Sequence, residues 1–130
     1  MNDQVAQIKK LIEPHAEFAF LMGSFGTPRF NDQSDLDLAV YFSNKVDWNW
    51  RAKLSSQLMD IVGRDVDLVD LRDTDPIFAR QVLETGRLLF CKDSGLLVSW
   101  KATQMSKYID LKMGRAEIEK QLLTRKKFNG

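Results

Sequence analysis

An α/β fold, a small mixed sheet flanked by helices, is what this sequence predicts, and three observations carry the prediction. Short apolar runs suited to strands alternate with longer segments whose apolar residues recur at helical spacing. Two of the strand-like runs, DLDLAVYF and DVDLVDL, carry carboxylates at alternate positions, so one side of each strand is acidic and the other apolar. The helical segments end on recognisable stops, at Pro14, Gly63 and Gly86.

The elements follow in order. Residues 3–13 read as an amphipathic helix, because Val5, Ile8, Leu11 and Ile12 recur at helical spacing, and Pro14 ends it. Residues 17–22, EFAFLM, are aromatic and apolar and suit a buried strand. Gly23-Ser24-Phe25-Gly26 breaks that pattern, and residues 27–34 are a loop rich in turn formers. Residues 35–42 form the second strand. Asp47 caps a helix over 48–62 with a stripe of Trp50, Leu54, Leu58 and Ile61, and Gly63 stands at its C-terminal cap. Residues 65–71 form a third strand. Asp75 at the cap and Pro76 at the first helical position open a helix that runs to about Thr85, where Gly86 stops it. Residues 87–91 are a short fourth strand. A long helix spans residues 94–123 with Gly114 as a candidate break, and the basic tail 125–130 is expected to fray.

Composition narrows the function. A chain of 130 residues is one domain, with little room for a separate substrate domain. The net charge of +1 gives no overall attraction for nucleic acid, so no direct nucleic-acid role is expected. One cysteine, Cys91, excludes an internal disulfide and a cysteine-built metal cluster. One histidine, His15, excludes a multi-histidine zinc site, and it reads as a helix-end residue. No apolar run has the length of a membrane span, and the N-terminus lacks the apolar core of a signal peptide, so a cytoplasmic location is expected.

The chemistry concentrates in residues 23–40. Gly23-Ser24 directly follows a strand, and ten residues separate Ser24 from Asp35 and the alternating Asp37. Asp35 and Asp37 project from one strand face about 7 Å apart, while Leu36, Leu38 and Val40 take the core face. Two carboxylates so placed repel unless a cation lies between them, and Mg²⁺ prefers such hard oxygen ligands together with phosphate oxygens. Gly23 allows backbone to approach a phosphate, and the Ser24 hydroxyl can donate to it. A third acid comes from DVDLVDL: Asp67 lies inside the strand, Asp65 shares its face at the strand entrance, and Asp70 lies on the other face as a surface or capping residue.

This combination of Gly-Ser, ten residues and Asp-x-Asp resembles the signature of the polymerase-β-like nucleotidyltransferases. With the VDLVDL strand and the short length it is most similar to the minimal nucleotidyltransferase (MNT) proteins, over residues 16–90. The resemblance implies the polymerase-β-like fold. It also implies that Gly23 and Ser24 contact the triphosphate, that Asp35 and Asp37 ligate metal and that Asp67 is the third carboxylate. MNT proteins are typically antitoxins encoded beside HEPN-domain toxins. The implied activity is Mg²⁺-dependent transfer of AMP from ATP to a tyrosine of a cognate HEPN RNase toxin, with two ions bracketing the α-phosphate, as in a type VII-like toxin–antitoxin system. The alternatives are an antitoxin that masks its toxin by contact alone and a small-molecule nucleotidyltransferase of the aminoglycoside type. One residue departs from the pattern: Phe25 stands where many members carry arginine, and the nearest arginine is Arg29.

The last helix carries two apolar stripes. Leu97, Trp100, Tyr108, Leu111, Ile118 and Leu122 form one, and Val98, Ala102, Met105, Ile109, Ala116 and Leu123 form the other. The expectation is that one stripe packs on the domain and the other docks a partner or a second copy.

Overall fold

The computed structural model describes residues 2–22 and 36–129, with the side chains of all of these except residues 2, 116 and 124–129. The strands are β1 (Ala16–Met22), β2 (Leu36–Phe42), β3 (Val66–Asp70) and β4 (Arg87–Cys91). They form one mixed sheet in the order β3-β2-β1-β4. The described helices are α1 (Asn2–Ile12), α2 (Trp48–Val62), α3 (Pro76–Thr85) and α4 (Ser94–Asn129). β1 pairs antiparallel with both β2 and β4, whereas β2 and β3 run parallel. The link between that parallel pair is α2, the kind of crossover a parallel pair requires.

The boundaries lie where the sequence puts them, for local reasons. Pro14 stands in a 3₁₀ turn, Glu13–His15, that closes α1. At the other end of that turn, the His15 ring meets Trp50 edge-on at 4.9 Å. The Asp47 carboxylate accepts from Trp50 N at 2.7 Å and caps α2. Gly63 ends α2 in the left-handed region, φ 68°, where its N–H reaches Met59 O. Asp75 caps α3 by accepting from Ile77 N at 2.6 Å. The third strand is shorter than residues 65–71, because Asp70 accepts from Arg72 N and starts a 3₁₀ turn at Leu71.

Strand alternation divides the core in two. Leu36, Leu38, Val40 and Phe42 of β2, with Ala19, Leu21 and Leu68, pack against Ile8 and Ile12 of α1 and Leu54 and Leu58 of α2. Phe18, Phe20 and Met22 of β1, with Ala39, pack against Ala79 and Val82 of α3 and Leu97 and Trp100 of α4. β1 is therefore apolar on both faces, as the unbroken run AFLM announces. Gly86 closes the second layer: a Cβ there would stand 2.5 Å from Val82 O and 2.9 Å from Met22 Sδ, so only glycine lets α3 end this close to β1.

α4 departs from expectation in two ways. It has no break at Gly114, and it takes in residues 125–129 of the tail expected to fray. A side chain at Gly114 would touch nothing within 4 Å. Its cost is that of glycine in a helix, about 1 kcal/mol, which the neighbouring Lys, Met, Arg and Glu absorb. The first stripe is buried at Leu97 and Trp100 and half-buried at Tyr108, where Arg80 lies 4.4 Å over the ring and donates to its hydroxyl. Beyond Tyr108 that same stripe opens to solvent, with Ile118 and Leu122 each 58% exposed. The second stripe is exposed at Val98, Met105, Ile109 and Leu123.

Candidate active site

Of the five residues that the sequence singles out for chemistry, Gly23, Ser24 and Asp35 lie outside the described residues, and Asp37 and Asp67 lie within them. The parallel pairing of β2 and β3 sets Leu36 against Val66, Asp37 against Asp67 and Leu38 against Leu68. Paired residues on neighbouring strands point to the same face, and the strands are about 4.8 Å apart. Two acids from separate strands, 30 positions apart in the chain, thus stand side by side.

The cause is the same alternation in both strands. Leu36, Leu38, Val66 and Leu68 turn into or against the α1–α2 core, which forces Asp37 and Asp67 to the opposite face. Asp37 is half-buried and faces Met22 across β1. Asp67 is exposed on the edge strand. The other two acids of DVDLVDL are placed differently. Asp65 precedes β3 and is exposed, and its carbonyl accepts from Leu36 N at 3.0 Å. Asp70 caps the turn after β3.

The donor chemistry at Asp37 and Asp67 is all hard oxygen, which suits Mg²⁺. No group of three or more metal-binding side chains forms among the described residues; Asp35, the nearest further acid in sequence, lies outside them. Magnesium with one or two carboxylates completes its shell from water and substrate phosphates, so a pair of acids is a sufficient protein contribution.

The α2 side of β3, opposite the face that carries Asp37 and Asp67, holds residues that sequence reasoning did not single out. β3 is an edge strand, and the Leu68 carbonyl on its open side accepts from the Arg51 guanidinium of α2. Between α2 and β3 lies an open cleft of ≈ 220 Å³ whose wall includes Trp48, Arg51, Ser55, Asp67 and Leu68. Trp48 is 78% exposed. The signal was present in the sequence, because Trp48 falls off the stripe of Trp50, Leu54, Leu58 and Ile61 that anchors α2. An aromatic residue outside its helix's apolar stripe has no core to serve.

Comparison with known proteins places this arrangement. A family described as polymerase beta, nucleotidyltransferase, matches residues 6–95. The chain is similar to the protein adenylyltransferase MntA of Shewanella oneidensis, 32% identical over 77 residues, which are 59% of this chain and 55% of that protein. The match thus spans about half the length of that curated relative. Among solved structures, a tri-AMPylated Shewanella oneidensis HEPN toxin in complex with its MNT antitoxin is matched with a TM-score of 0.75 and 26% identity, covering 94% of this chain and 98% of that one. A toxin–antitoxin structure with AMP-PNP is matched with a TM-score of 0.74 and 25% identity, covering 93% and 97%. With the paired carboxylates on a mixed sheet and a family match over most of its length, this chain belongs to the polymerase-β nucleotidyltransferase family.

Proposed function

We infer that this chain is the antitoxin of an HEPN/MNT pair and a protein adenylyltransferase, moving AMP from ATP to a tyrosine of its cognate HEPN toxin and so silencing it. The observation that carries the reading is the register of Asp37 with Asp67 in a member of this family. Similarity to MntA and to toxin-bound and AMP-PNP-bound antitoxin structures supports it. Asp35, Asp37 and Asp67 are the residues that would hold Mg²⁺, with Gly23 and Ser24 on the triphosphate. Bound there, the metal supplies charge stabilisation to the reacting phosphate and the leaving pyrophosphate. Asp67, exposed on the edge strand, is the carboxylate that an incoming phenol reaches, and it takes the acceptor proton. ATP as substrate and an unpaired Cys91 fit a cytoplasmic setting.

The test is intact-mass spectrometry of the toxin after incubation with the full chain, ATP and Mg²⁺. One or more added AMP units are expected. An intact complex with no mass gain from any nucleoside triphosphate would leave an antitoxin that works by contact alone.

Docking belongs to α4. Its apolar stripes continue past the last contact with the domain, and Leu111, Ile118, Leu122 and Leu123 have no covering layer among the described residues. We assign this distal half to the toxin, since apolar anchors on a preformed helix are what a partner's groove receives. Ile118→Glu with Leu122→Glu should weaken the complex about 100-fold or more, and should leave the melting of the isolated chain unchanged because both side chains are exposed. Undiminished binding, read by calorimetry or size exclusion, would remove the toxin from this surface.

A further inference from the structure

We propose that the end of the sheet opposite the carboxylates carries a second binding site, a surface for single-stranded nucleic acid formed by two clefts that meet at Pro14. It stands apart from the adenylyltransferase reading. Ala16 and Met22, the two ends of β1, lie about 20 Å apart along the strand, and Asp37 is paired with Met22.

The backbone at this end is tied into a fixed rim. His15 O accepts from Ser43 N at 2.9 Å, and Glu17 O accepts from Lys92 N at 2.8 Å, so the segments after α1, β2 and β4 are held side by side. On one side of Pro14, Lys9 and Lys10 of α1 and Lys92 beyond β4 line an open cleft of ≈ 480 Å³. On the other side, His15, Asn44, Lys45 and Trp50 line a cleft of ≈ 300 Å³. Lys9 and Lys10 lie in the last turn of α1, where positive charge complements the helix dipole. Lys45 and Lys92 have no such use. They stand just ahead of the N-termini of α2 and α4, where positive charge is unfavourable.

The acids nearby are engaged within the fold. Glu17 accepts from Ser43 Oγ at 2.9 Å, Asp47 caps α2, and Asp93 accepts from Leu96 N at 3.1 Å. Glu13 lines the first cleft, where Lys9, Lys10 and Lys92 outnumber it. Among the described residues no carboxylate forms an ion pair with Lys9, Lys10, Lys45 or Lys92. The net charge of +1 for the whole chain conceals this local excess. Lysines alone would suit any polyanion, and the second cleft narrows the choice. Its exposed His15 ring, held edge-on to Trp50 at 4.9 Å, is a platform for a base, and the Asn44 amide can pair with the base's edge. The cleft lies at the lower end of the roughly 300–1,000 Å³ of ligand pockets and fits one base with its sugar. The neighbouring phosphates then fall to the lysines. A duplex keeps its bases stacked and offers none to this cleft.

The experiment is fluorescence anisotropy of labelled RNA and DNA single strands of about ten nucleotides, titrated with the full chain at low salt. Both sugars should bind alike, a duplex of equal length should bind more weakly, and log Kd should rise with log salt at a slope of about 3 for four lysines. Lys45→Glu with Lys92→Glu should weaken binding about tenfold or more. The same variant should melt no lower than wild type, because it places negative charge ahead of two helix N-termini. His15→Ala should cost about fivefold through the lost stack. Lys101→Glu with Lys112→Glu, an equal charge change on exposed positions of α4, should stay within about twofold. Saturating AMP-PNP with Mg²⁺ should displace nothing. No binding by wild type, or undiminished binding by the Lys45/Lys92 variant, would overturn the proposal. Displacement by AMP-PNP would move the strand to the triphosphate site, and tighter binding of duplex would reduce the surface to bulk charge. Weakened toxin binding with unchanged oligonucleotide binding would give it to an acidic protein face instead.

Discussion

Asp67→Asn is expected to lower AMP transfer to the toxin by about 10³-fold, and Asp37→Asn by a similar factor, with complex formation retained. Asparagine keeps the volume and removes the charge that a cation and a departing proton require. Asp67 is exposed on an edge strand, so the substitution should change stability by no more than about 0.5 kcal/mol, and lost activity reports on chemistry. Asp65→Asn is the discriminating control. Asp65 lies on the same strand face by alternation but ahead of β3, and it has no register partner in β2 among the described pairs. Its replacement should change the rate by less than about threefold. If Asp65→Asn were as damaging as Asp67→Asn, the third carboxylate would sit at the strand entrance and the register argument would fail. Added Mg²⁺ separates the two acids further. A variant weakened in metal binding recovers part of its rate at high metal concentration, whereas one that has lost its proton acceptor does not.

Trp100→Ala should destabilise the folded chain by about 3–5 kcal/mol, much of the ~5–15 kcal/mol that holds a small domain folded. The indole is 6% exposed, its centroid lies 5.5 Å from that of Phe18, and its Nε1 donates to Leu71 O at 3.1 Å. The loss combines a cavity between α4 and the sheet with a buried carbonyl left without a partner. Trp100→Phe keeps most of the volume and should cost about 1–2 kcal/mol, chiefly the hydrogen bond. Urea unfolding of both variants measures the difference. A cost below about 1 kcal/mol for alanine would mean that α4 is not fixed through this side chain.

Much of this architecture was legible because the relevant forces are local. Asp75-Pro76, Asp47 and Gly63 act on their own helix ends, and each lies at the boundary that its chemistry prescribes. The opposing faces of β2 were legible from alternation alone, with Leu36, Leu38 and Val40 buried and Asp37 turned the other way. Strand order was not, because nothing within EFAFLM states that it will separate β2 from β4. Nor was the register of Asp37 with Asp67, which depends on how α2 returns the chain. The extent of the α4 contact was hidden for a different reason: Leu97 and Leu122 carry the same apolar signal, and only the finite size of the sheet decides that one is covered and the other is not. Gly114 misled because a helix flanked by strong helix formers tolerates one glycine.

The carboxylates stand at the amino ends of β2 and β3, whereas α4 is fastened by Trp100 to the carbonyl of Leu71, just past the other end of β3. Leu71 lies four positions beyond Asp67, about 13 Å along extended chain. Changes that far apart with no shared partner add rather than interact. Selection therefore meets two independent traits in one gene. On the docking proposed above for α4, a lineage can lose the acids to drift and still inherit the docking helix, and it can refit that helix to a diverging partner without disturbing the acids.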